Sequence, residues 1–184
     1  FNDYVGDLDP SRLYFEEADI VKLGEKYETE LDNMLLGKKS MAAASDIYGV
    51  YKKRVIERAA VVEQLLNKHE FSFTTEEFIA RDREDAAWPK NAEEAKNLWR
   101  LQLKEALLAE TLRRQEIARR AKEQGKKNPL KDQPEAKEKI SQRYERFFKT
   151  IEGADEEDIA NYFLSAVARA HDPHSEYFSA RELQ

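Results

Sequence analysis

His171, Asp172, His174 and Ser175 crowd one short stretch of the chain, and they are the side chains best equipped for chemistry. A histidine beside a serine offers a general base beside a nucleophile, and two histidines three apart on a helix offer two zinc ligands on one face. Neither chemistry follows from this spacing. Adjacent residues rarely aim their side chains at each other, and Pro173 stands between the histidines, where it interrupts the helix that would align them. With three histidines and no cysteine, the chain lacks disulfides, thiolate zinc sites, iron–sulfur clusters and cysteine nucleophiles together. The HExxH, EF-hand, P-loop and dinucleotide fingerprints are missing as well. The expectation is a segment with no catalytic, metal-binding or cofactor-binding residues, and a hydrogen-bonded turn at Asp172.

Charge provides a second set of candidates. The 184 residues hold 31 Lys and Arg against 37 Asp and Glu, a net charge of −6, and the distribution is uneven. Before Lys38, ten acids face three bases, whereas from Arg113 to Lys131 eight bases face two acids. Arg113, Arg114, Arg119 and Arg120 form a stripe suited to docking an acidic neighbouring domain or protein. Nucleic acid is not the expected partner, because no stacking aromatics interleave the stripe and the whole chain is acidic. A free-standing helical module that binds protein or nucleic acid through residues 113–131 is the alternative reading.

The elements that must position these residues are helices. The length suits one domain able to bury roughly 70% of its unfolded surface. Six glycines and five prolines are few, and Ala, Leu, Glu, Lys and Arg abound, which disfavours a sandwich or barrel. Apolar residues at three- and four-residue spacings predict a helix from Ile20 through Leu31, Met34 and Leu35, ending at Gly37, and a long second helix from a Ser40 cap to Leu65 with Arg58 on its apolar seam. His69 to Thr74 reads as an extended connector with Phe71 and Phe73 on one side, and Thr74-Thr75-Glu76-Glu77 as a capping box for a short helix to about Arg83. Asn91 and Glu94 open a long helix through Trp99 to about Gln124. Gly125 to Gln133 reads as a loop. Pro134 in a first turn leads a helix carrying Ile140, Tyr144 and Phe148 to Gly153, and Asp155 caps a last helix that stops at Asp172-Pro173. The fold class is all-α, a bundle or array of about five to six amphipathic helices with short connectors. No window approaches 18 uncharged apolar residues, so no membrane span is expected.

Two stretches at opposite ends of the chain, Asp9-Pro10-Ser11-Arg12-Leu13-Tyr14-Phe15 and Asp172-Pro173-His174-Ser175-Glu176-Tyr177-Phe178, share the pattern D-P-x-x-x-Y-F. In each, proline fixes a turn and the Tyr-Phe pair can anchor the next segment on a core.

These two stretches, together with Ile47-Tyr48, Tyr51, Arg54, Glu57-Arg58, Trp88, Leu98-Trp99-Arg100, Leu103-Lys104, Arg143-Tyr144, Ala166, Ala170 and Ser179, resemble the N-terminal helical domain of tail-specific proteases, also called C-terminal processing proteases. The likeness covers essentially the whole chain, and D-P-H-[ST]-x-Y-F-S after a helix is its most specific part. In that family the helical domain precedes a PDZ domain and a serine protease core with a Ser/Lys dyad. The resemblance implies that residues 1–171 are the helical domain and that residues 172–184, with Asp172, Pro173, His174, Tyr177 and Phe178, are a junction leading toward a PDZ domain. It implies a non-catalytic scaffold within an exported endopeptidase of the bacterial periplasm or cell envelope. The implied partners are its own PDZ and protease domains, an adaptor protein, and unfolded or C-terminally tagged substrates. No residue here matches the dyad or the PDZ groove. The first residue, Phe1 in place of Met, agrees with a segment of a longer precursor.

Overall fold

A run of residues with helical periodicity stays helical when its apolar stripe finds a face to cover it. The computed structural model describes residues 1–29, 39–172, 174, 175, 177 and 178. Among them lie six helices and no strand: α1 (Asn2–Leu8), α2 (Glu17–Tyr27), α3 (Lys39–Lys68), α4 (Ala92–Glu123), α5 (Ala136–Gly153) and α6 (Glu156–His171). The all-α architecture expected from the periodicity is present.

Helix α3 is the organising element, packing against each of the other five helices. Ile47, Tyr48, Tyr51 and Val55 are almost completely buried along it. Trp99 of α4 meets them from the other side. Its ring is wholly buried, 5.4 Å from the rings of both Tyr14 and Tyr144, and its indole N–H donates to the Leu13 carbonyl at 2.9 Å. A large buried aromatic with its one polar atom satisfied makes a strong anchor between segments distant in sequence.

Several local expectations hold. Asn91 accepts the backbone N–H groups of Glu93 and Glu94 and starts α4, Asp155 does the same for Glu157 and Asp158 at α6, and residues 125–133 form no helix.

Others are corrected. The short helix expected after Thr74 does not form, and residues 69–91 are an irregular connector. Its apolar side chains lack a covering face, Phe78 being 87% exposed, and an isolated two-turn helix is unstable in water. Glu77 instead bonds Arg100 and Lys104 of α4. Phe71 packs on the core while Phe73 is nearly half exposed, so the two rings do not share one environment. Helix α2 ends at Tyr27, and its expected continuation through Leu31, Met34 and Leu35 to Gly37 lies outside the described residues. Ser40 sits inside α3 instead of capping it, and Pro134 precedes α5, whose N-cap is Glu135. Helix α1 was not foreseen. It buries Tyr4, Val5 and Leu8, and the Tyr4 ring meets Phe163 of α6 at 5.3 Å.

Arg58, the one cation on the α3 seam, is 2% exposed. Its guanidinium donates to Glu16 at 2.6 Å, and neighbouring Arg54 bonds Glu16, Asp19 and Glu57. A buried cation persists only when its charge is met in this way. Burial pushes the Asp19 carboxyl up, but the Arg54 bond, the Glu16 backbone N–H and the nearby cations outweigh it, and the net direction is down. This cluster locks the start of α2 onto α3.

Candidate functional site

The two D-P-x-x-x-Y-F stretches fold into unlike environments. Asp9 is 1% exposed, and its carboxylate accepts the backbone N–H groups of Leu13 at 2.8 Å, Tyr14 at 2.8 Å and Phe15 at 3.0 Å. Arg12 takes a positive φ of 48° to close this turn. Burial pushes the Asp9 carboxyl up, opposed by the three N–H donors and by Arg83. The result is a fixed internal post on which Tyr14 and Phe15 enter the core.

Asp172 makes the corresponding bonds at the surface. It accepts the His174 N–H at 3.0 Å and the Ser175 hydroxyl at 3.1 Å, and its own N–H closes α6 on Ala168. Ser175 therefore donates to a carboxylate in a local turn and is not aimed at either histidine. Tyr177 and Phe178 are 39% and 52% exposed, so this second pair does not anchor the chain end in the core. Pro173 lies outside the described residues. Among the described residues no group of three His, Cys, Asp or Glu side chains converges as a metal site.

The basic stripe is engaged within its own helix. Arg113 and Arg114 bond Glu110, Arg119 bonds Glu116 and Glu123, and Arg120 bonds Glu116. These i,i+3 and i,i+4 pairs moderate the local field that the count of bases suggested. The signal was present in the sequence: Glu110 stands one turn ahead of the first arginine, just outside the counted window.

A surface that sequence reasoning missed lies on the connector. Phe73, Phe78 and Ile79 line a groove of about 480 Å³ with Leu101 and Leu108 of α4. Phe78 projects almost fully into solvent, yet its neighbour Glu77 is held by Arg100 and by Lys104 at 2.6 Å, and Lys104 also bonds the Thr75 carbonyl at 3.0 Å. The other end of the connector is tied down as well, with Arg83 donating to the Ser11 carbonyl at 3.0 Å and Trp88 packed under the Arg12 guanidinium at 5.0 Å. Two cations one helical turn apart, Arg100 and Lys104, were the legible sign of an acidic partner from outside α4. An aromatic ring presented on a secured segment is the form that interface anchors take.

The family model for the tail-specific protease N-terminal domain matches residues 1–181. A tail-specific protease of Haemophilus influenzae is 32% identical over 181 residues, which make up 98% of this chain. The same match spans 24% of that relative's length.

Proposed function

The chain belongs to the tail-specific protease N-terminal domain family, and from that premise we propose that it is a non-catalytic scaffold within a longer, exported serine endopeptidase that processes or degrades proteins from their C-termini. In this reading residues 172–184 form the junction toward a PDZ domain, and a Ser/Lys dyad beyond it breaks the bond. The helical scaffold packs beside the protease body and shapes the approach of unfolded or C-terminally tagged substrates, with an adaptor as a further partner. The location that goes with it is the bacterial periplasm or cell envelope. No helix among the described residues is long and apolar enough to cross a membrane.

The observation that carries the scaffold reading is the Phe78 shelf, an 87% exposed ring on a connector fastened at both ends. Its proposed occupant is the protease body of the same polypeptide. The match spans only 24% of its relative, which leaves ample chain to cover the shelf, and tethering keeps such a surface at high effective concentration. The free-standing nucleic-acid module is the weaker reading, because Glu110, Glu116 and Glu123 engage its arginines.

Replacing Phe78 by Asp tests the scaffold reading. The melting midpoint of the 184-residue chain should stay within a few degrees of the parent, since a surface substitution typically changes stability by about 0.5 kcal/mol or less. In the longer polypeptide the same change should slow degradation of an unfolded, C-terminally tagged substrate. Full proteolytic activity of that variant would overturn the docking role of the shelf.

A further inference from the structure

The search for a second functional surface leads to the groove between α4 and α5. It is about 340 Å³, and its walls carry Arg113, Lys139, Arg143 and Arg146 against Glu105 and Glu110. Lys139, Arg143 and Arg146 follow one another by four and three residues, which places them on a single face of α5. Glu110 is already bonded to Arg113 at 2.8 Å, Arg114 at 3.1 Å and Lys139 at 3.2 Å, so one carboxylate answers three cations. The Arg113 bonds first, then Lys139, hold its carboxyl down to about 2. Arg143 lies over the Tyr144 ring at 5.0 Å, and neither Arg143 nor Arg146 is paired with an acid among the described residues. A chain with a net charge of −6 thus keeps a local excess of cations beside a floor of Ala106, Ala109 and Ile140.

We propose that this groove docks an extended polypeptide segment with acidic residues at alternate positions. The spacing of the cations selects that partner. Lys139 to Arg146 covers about 10 Å along a helix rising 1.5 Å per residue. Alternate side chains of an extended strand are about 6.6 Å apart on one side, so two successive acids reach two of the three cations while the backbone runs over the small apolar floor. A single-stranded nucleic acid fits less well, because the Tyr144 ring, covered by Arg143, offers no stacking platform. The cations this inference uses are separate from the Phe78 shelf, which shares only Glu105 with the groove, and it stands independently of the protease reading.

The test is fluorescence anisotropy on the 184-residue chain with a fluorescein-labelled peptide of alternating Asp and Ala. A peptide of alternating Lys and Ala and a labelled oligo-dT serve as comparison probes. Binding of the acidic peptide should weaken about tenfold in the double variant Arg143→Glu/Arg146→Glu, and also when salt rises from about 0.01 M to about 1 M, where the screening length falls from about 30 Å to about 3 Å. Arg119→Glu/Arg120→Glu should bind like the parent. Arg143→Gln/Arg146→Gln, which removes charge without reversing it, should also weaken binding, and circular dichroism melts should match the parent for both groove variants. The proposal is overturned if the acidic peptide does not bind, if the groove variants bind it normally, if the Arg119/Arg120 variant loses as much, or if oligo-dT binds more tightly through the same arginines.

Discussion

At the scale of single residues, the two aspartates that open the D-P-x-x-x-Y-F stretches show how one local pattern acquires two roles. Asp9 and Asp172 both accept bonds from the residues that follow them, but only Asp9 is shut away from water. Removing the Asp9 carboxylate strands three buried N–H donors, each costing roughly 1–3 kcal/mol when left unpaired. Asp9→Ala should therefore lower the unfolding free energy by at least about 3 kcal/mol in a urea titration. Asp172→Ala, at an exposed turn, should change it by less than about 1 kcal/mol. Equal effects would mean that burial does not separate the two turns. The sequence made both turns legible and could not rank them, because burial depends on the helices that close over each one. For Asp9 those are α3 and α4, through Tyr51 and Trp99 against Tyr14. Ser175 is a similar case: the residue types of a catalytic pair were visible, and the structure gives its hydroxyl to Asp172.

At the scale of elements, the helices most legible in advance were those with both a cap and a long apolar period, α4 from Asn91 and α6 from Asp155. Helix α1 escaped because seven residues interrupted by Gly6 show too little period, and its identity depends on contact with α6. The connector erred in the opposite sense. Its capping-box pattern was genuine, but Arg100 and Lys104 claim Glu77 for a tertiary contact. Those two cations, Arg100 first and then Lys104, lower the Glu77 carboxyl from 4.5 to about 2. A carboxyl depressed on folding stabilises the native arrangement fully above its ordinary value, and that contribution fades as pH falls through the folded value. The connector should accordingly loosen between about pH 4.5 and about pH 2. Pepsin cleavage within residues 70–82, measured against a Glu77→Gln variant, checks this. The parent should resist relative to the variant near the upper end of that range and lose its advantage near the lower end. A ratio that stays constant with pH would show that Glu77 does not fasten the connector.

At the scale of the whole molecule, α3 and the Trp99 cluster hold six helices in one arrangement, and the buried polar side chains Asp9, Glu16 and Arg58 help to hold it. Buried Glu16 and Arg58 fasten α2, buried Asp9 fixes the entry of Tyr14 and Phe15, and Arg113, Arg114, Arg119 and Arg120 of α4 are met by glutamates one turn away. The family likeness was readable from dispersed residues such as Trp99 and the D-P-H-S-E-Y-F stretch. The exposed Phe78 shelf was not, since the sequence pattern gives Phe78 as an ordinary apolar residue of a short helix, whereas the connector is irregular. Under the proposed function, this frame carries a surface that the rest of a longer protease covers. Amide hydrogen exchange, measured on the 184-residue chain and on the longer polypeptide, addresses it most directly. Residues 71–80 should exchange markedly more slowly in the longer polypeptide, while the core of α3 is unchanged; equal exchange of residues 71–80 in both would mean that nothing covers the shelf.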